Sequence, residues 1–175
     1  MKKLSTLLLI IGSALTTASA EQDSPERRIA ALGLSLSEAP ASIANYVPLV
    51  RAGNLVFLAG QIARDADGKV ITGKVGRDLS ELQAAEAARA CTLQLLSALK
   101  AEVGELSNVK HVVRVGGFVN CTDDFTRHSQ VINGCSDLLV ALFGEAGRHA
   151  RASVGVNSLP SGAPVEIEMI VELHE

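Results

Sequence analysis

The apolar positions of the chain follow two periods. Leu32, Leu34 and Leu36 alternate with Gly33 and Ser35, which predicts a short edge strand after a polar, frayed lead-in over 21–29. Tyr46 to Arg51 reads as a further extended stretch, and Pro48 confines it to a sheet edge or a bulge. Ala52-Gly53-Asn54 is turn chemistry, and Leu55 to Ala59 is an unbroken apolar run typical of a buried strand. Together these predict a hairpin, closed by Gly60-Gln61. The period then becomes helical. Ser80 and Gln83 have capping-box spacing, and Ala84, Ala88, Cys91, Leu95 and Leu99 mark one face. With Gly104 as C-cap, the pattern predicts a helix over 81–103. Val109 to Val119 is β-branched and predicts a central strand. Thr122-Asp123-Asp124 predicts the cap of a second helix, with Phe125, Val131, Ile132, Leu138, Leu139, Leu142 and Phe143 as its apolar side. Two strands joined by a Pro/Gly turn finish the chain, with Arg151 opening the first and Glu166 early in the second.

The order is β-β-α-β-α-β-β, with 32–36 as an additional edge strand. It predicts one α+β domain, a mixed sheet with two helices on one face. The strands read as apolar on both sides, so the second sheet face needs a cover. Oligomerisation is the simple way to supply it.

The N-terminus changes the picture of compartment. Lys2 and Lys3 precede an apolar run ending near Leu15, and Ala18-Ser19-Ala20 presents small residues for cleavage. This predicts a secretory signal peptide over 1–20, a lead-in over 21–39, one domain over 40–175, and a secreted, periplasmic protein. The run is shorter than the roughly 20 apolar residues of a membrane span, so no membrane association is expected after cleavage. The net charge is −3 and no Lys/Arg cluster occurs, which argues against nucleic acid as a partner. His111, His128, His149 and His174 show no ligand spacing, and Cys91, Cys121 and Cys135 match no zinc pattern. No metal is expected, and with no Gly-rich phosphate loop no cofactor is expected either. Cys91 belongs to the helical core face. Cys121 and Cys135 either pair or stay as buried or free thiols, the simpler reading.

The candidate chemistry sits at the C-terminal end. Arg151 lies among Ala150, Ala152, Val154 and Val156, where an Arg needs a partner or a ligand. Its planar fork suits a carboxylate; a structural ion pair with Glu166 or Glu168 is the competing reading. Glu166, Glu168 and Glu172 share one strand face, which a solvated stripe also explains. Asn133-Gly134 in mid-helix marks a site or a tight packing point. Tyr46, the sole Tyr, offers a ring and a hydroxyl to a ligand or to an interface. Ser153 has no evident His partner, so a nucleophilic triad has little support.

Several of these segments together resemble a known family. Asn45-Tyr46-Val47, Leu55 to Gln61, Val131-Ile132-Asn133, Arg151-Ala152-Ser153-Val154-Gly155-Val156, Leu159-Pro160 and Val165-Glu166-Ile167-Glu168 resemble the Rid family of enamine/imine deaminases, also called YjgF/UK114 or endoribonuclease L-PSP. The resemblance covers 40–175. It implies a chorismate-mutase-like fold and a homotrimer whose sheets form an inner barrel, with active sites in the clefts between subunits. It implies that Arg151 holds the substrate carboxylate and Glu166 attends the hydrolytic water. Tyr46 would line the pocket, Asn133 would stand at its edge, and Gly60 would lie in the loop behind the substrate. Three positions depart from the archetype: Ser153 replaces Cys, Gly155 replaces Glu, and Ala59 replaces Ser. Ser153 would form part of the altered substrate wall.

The function so implied is hydrolytic deamination of 2-enamino or 2-imino acids to 2-oxo acids and ammonia. A non-catalytic module that binds small carboxylates through the same Arg is the alternative. Ribonuclease activity has against it the acidic charge and the lack of a His pair, and no sequence feature points to a holdase.

Overall fold

The computed structural model describes residues 24–38, 45–65 and 67–175. The signal-peptide segment 1–20 and the domain start at residue 40 lie outside them. Helix α1 spans Pro25–Ala31. Ser24 caps it, its side chain accepting from the Arg27 backbone N–H, and Pro25 fits the first turn, where no donor is needed. The expected frayed lead-in is therefore a helix from residue 25 onward. The expected strand over 32–36 does not form either. Gly33, at φ 67°, ends the helix, with Gly33 N–H donating to Ala30 O and Leu34 N–H to Ile29 O. The Leu alternation has another cause. Leu34 and Leu36 lie against the core without a sheet partner.

The sheet contains β1 (Leu49–Ala52), β2 (Leu55–Ile62), β3 (Val109–Asn120), β4 (Ala150–Val156) and β5 (Val165–Leu173). Its order is β1-β2-β5-β3-β4, and only β3 and β4 pair in parallel. The expected first hairpin forms, but its first strand starts only after Pro48. The expected terminal hairpin does not form, because β3 lies between β4 and β5. The connection is too long for a tight turn, and Asn120 N–H takes Pro164 O as β5 enters beside β3.

Helix α2 (Glu81–Val103) matches its predicted bounds, with Ser80 and Gln83 forming the capping box and Gly104 the C-cap. Helix α3 (His128–Phe143) begins later than Thr122-Asp123-Asp124 suggested. Thr122 instead closes a turn, its carbonyl accepting from Phe125 N–H. Both long helices cover one sheet face, α2 on β5 and β2, α3 on β3 and β4. The face they cover is the core: Val165, Ile167, Met169 and Val171 of β5 are buried there with Val112, Val115 and Val119 of β3. Cys91, Cys121 and Cys135 are buried and unpaired.

The other face is uncovered within the chain. Val50, Phe57 and Val154 are exposed apolar residues on it, beside Ile170 and Phe118. Glu166, Glu168 and Glu172 share it, as their spacing predicted. No helix among the described residues is long and apolar enough to cross a membrane.

Candidate functional site

Arg151 lies on β4, opposite Val115 of β3. Val115 is fully buried under the helices, so Arg151 emerges on the helix side of an edge strand. Its Nη1 donates to Asn133 Oδ1 and to Ser136 Oγ of α3, each at 2.9 Å. Asn133 and Ser136 are three apart and share a helix face. No carboxylate pairs with Arg151 among the described residues. Glu168 instead accepts from Arg114 at 2.9 Å, and Glu172 from Lys110 at 2.8 Å. The ion-pair reading of Arg151 is thereby replaced. Nη1 is engaged by two neutral oxygens, while the Nε/Nη2 edge keeps its N–H groups for a planar anion.

Asn133, placed at the pocket edge by the family resemblance, is bonded to Arg151. The two poor helix formers divide the roles, because Gly134 is the packing point. A Cβ there would lie 2.0 Å from the carbonyl oxygen of Ala85 in α2. Ser136 and His149 were not singled out by the sequence. Ser136 Oγ lies 3.0 Å from His149 Nε2, and His149 Nδ1 lies 2.7 Å from Gly147 O. Burial lowers the His149 pKa, opposed by the Gly147 bond, and nearby Arg151 and His111 lower it further. The usable signals were the i,i+3 pair on α3 and the alternation of His149 with Arg151.

Glu166 is placed elsewhere. It faces Phe118 across β3 and β5 on the open sheet face, the side opposite Arg151. The two do not share a pocket within one chain, because the hairpin that would have joined them does not exist. Gly60 lies inside β2, at a bulge between Leu58 and Gln61, rather than in a loop. Its missing side chain makes room for Glu166, whose Oε1 would lie 2.1 Å from a Cβ at position 60. Glu166 has no hydrogen bond or ion pair among the described residues. Burial raises its pKa, and Glu168 beside it adds to the rise.

A raised folded pKa makes ionised Glu166 a cost that appears as pH rises through that value and is absent below the unfolded one. Glu166→Gln should therefore raise Tm near pH 7.5. The gain should vanish below about pH 4, under the ordinary Glu value. Thermal melts at both pH values decide it; an equal gain at each would assign the effect to shape instead of charge.

Tyr46 is exposed ahead of β1, and β1 and β4 are opposite sheet edges. Four strand spacings separate them, roughly 19 Å. The Ser153 hydroxyl points to the helix side, buried and without a hydrogen-bond partner. It does not line an open surface beside Arg151 in the single chain. The thiols are poor nucleophiles: burial pushes Cys135 up to about 11 and Cys91 well above its ordinary value. Among the described residues no three of His, Cys, Asp and Glu gather as a metal site.

Comparison with known proteins fits this geometry. The model of the family described as "YjgF/chorismate_mutase-like, putative endoribonuclease" matches residues 26–173. The chain belongs to the YjgF family. Within that family it is 44% identical over 144 residues to protein TCP17 of Trypanosoma cruzi, covering 82% of this chain and 90% of the relative. It is 33% identical over 142 residues to a 2-iminobutanoate/2-iminopropanoate deaminase of Dermatophagoides farinae, covering 81% and 95%. The crystal structure of Atu1372 from Agrobacterium tumefaciens superposes with a TM-score of 0.80 at 42% identity, covering 87% of this chain and 96% of that one. The family therefore includes imine deaminases, and the YjgF fold here is the α+β arrangement expected from the sequence.

Proposed function

We propose that this YjgF protein hydrolyses small 2-imino or 2-enamino acids to 2-oxo acids and ammonia. The observation that carries the reading is the open Nε/Nη2 edge of Arg151, a guanidinium fixed by two neutral oxygens and lacking a carboxylate partner among the described residues. A substrate carboxylate on that edge is held in one plane and one direction. The imine carbon next to it is electrophilic. Water attacks that carbon, the carbinolamine collapses, and ammonia leaves with the proton it needs. The protein supplies position and charge complementarity.

The complete site in this reading lies between copies of the chain, in a homotrimer. Arg151 and Asn133 stand at one sheet edge, and Tyr46 stands at the other. A neighbouring copy brings its Tyr46 edge to the first copy's Arg151. Glu166 contributes from the open sheet face, where burial and then Glu168 raise its pKa and favour the protonated form that can exchange a proton with water. The apolar strip of Val50, Phe57, Phe118, Val154 and Ile170 is the surface such an assembly buries.

The test generates 2-iminopropanoate in situ and follows pyruvate release, with protein of trimeric mass in sedimentation. The expected result is release faster than in buffer and proportional to protein. No acceleration by the trimer sinks the reading. If pyruvate nevertheless binds at Arg151, the protein is a carboxylate-binding module instead of an enzyme.

A further inference from the structure

The contacts behind Arg151 continue further than a clamp requires. The Gly147 carbonyl can only accept, so the proton on His149 is at Nδ1. In the neutral ring Nε2 is then bare, and the Ser136 hydroxyl donates to it across 3.0 Å. The Ser136 oxygen is left with its lone pairs, and one of them takes the Arg151 Nη1 hydrogen at 2.9 Å. The second Nη1 hydrogen goes to Asn133 Oδ1. Every bond in this chain has one permitted direction.

We propose that Ser136 and His149 are positioning residues that, through this one-way relay from the Gly147 carbonyl, lock the Arg151 guanidinium with its Nε/Nη2 edge turned to the ligand carboxylate. The proposal rests on the carboxylate-binding role of Arg151. An Arg side chain on an exposed edge strand otherwise samples several rotamers, and each ligand would have to freeze it. The relay removes that freedom beforehand. Ser136 sits on the Nη1 side, away from the ligand edge, so it acts through Arg151 and does not touch the substrate. The groups that face His149 are Ser136 from α3, the Gly147 carbonyl, Arg151 from β4 and His111 from β3. Burial, with the nearby Arg151 charge, favours the neutral ring, the state in which Nε2 accepts.

The experiment uses the full chain and pyruvate as probe. Ser136→Ala and His149→Phe should each weaken pyruvate binding about tenfold, the scale of one hydrogen bond to a charged group. Melting temperatures should stay within about 2 °C of the parent. Ser136→Thr and His149→Gln, which keep a hydroxyl and an acceptor in the relay, should restore binding to within about threefold. Nitrogen-15 spectra should show His149 as the Nδ1–H tautomer, and the Arg151 guanidinium protons resolved in the parent but averaged in Ser136→Ala. Parental affinity in Ser136→Ala and His149→Phe, or an Nε2–H tautomer, overturns the proposal. If no carboxylate binds the parent protein, the reading of Arg151 fails, and the tautomer and guanidinium spectra still decide the relay on their own.

Discussion

Arg151→Ala is expected to fold like the parent and to lose kcat/KM for 2-imino acids by about 10²–10³-fold. The stability half follows from the partners. Arg151 is exposed, and removing it strips one bond each from Asn133 and Ser136, which border solvent and can turn to water. No buried charge is orphaned, so the melting temperature should move by no more than about 3 °C. The activity half follows from the ligand. A substrate carboxylate loses two charge-assisted hydrogen bonds and its orientation toward the attacking water, a loss of about 3–4 kcal/mol. Arg151→Lys should not rescue it. An ammonium is a point charge, and it cannot hold Asn133, Ser136 and a carboxylate in one plane. Steady-state kinetics with 2-iminopropanoate generated in situ check both variants. Parental activity in Arg151→Ala would show that the carboxylate binds elsewhere.

Those partners also show what the sequence could not reveal. An Arg in an apolar strand announces that it needs something, but the pattern does not say which face of the sheet it leaves from. Glu166 and Glu168 looked equally available, but both leave from the open face, and Glu168 is taken by Arg114. Local signals were read correctly where the cause is local. The Ser80–Gln83 box and Gly104 fix both ends of α2, because those contacts lie within one turn of the helix. The start of α3 was misread for the complementary reason. Thr122 is a good cap residue, but its carbonyl is used in a turn with Phe125. Strand neighbours are a tertiary matter. Alternation identified β4 and β5 but could not insert β3 between them. That insertion is what separates Arg151 from Glu166 and pairs Arg151 with α3 instead. Spacing could put Ser136 on the Asn133 face and His149 in phase with Arg151, but only the docking of α3 on β4 brings residue 136 beside residues 149 and 151.

On its other side α3 packs closely against α2 at Gly134, and Gly134→Ala should be the most destabilising single-methyl change near the site. The position lies between Asn133 and Ser136 on α3, where the helix crosses α2. A Cβ added there would stand 2.0 Å from the Ala85 carbonyl oxygen and 2.8 Å from its carbon. Both are backbone atoms of α2, so no side chain can swing away, and the helices must part. Alanine otherwise favours a helix over glycine by about 1 kcal/mol, a gain the clash has to exceed. Overpacking of this kind costs about 1–3 kcal/mol and sometimes more, and rigid backbone on both sides puts this case at the upper end. The expected outcome is a melting temperature lower by about 6–12 °C, read by calorimetry. Separation of the helices also carries Asn133 and Ser136 away from the guanidinium. Pyruvate binding measured at low temperature, where the variant is still folded, should therefore weaken as well. A variant that melts like the parent would mean that the α2–α3 crossing has slack. One that melts early but binds pyruvate normally would uncouple the crossing from the Arg151 site.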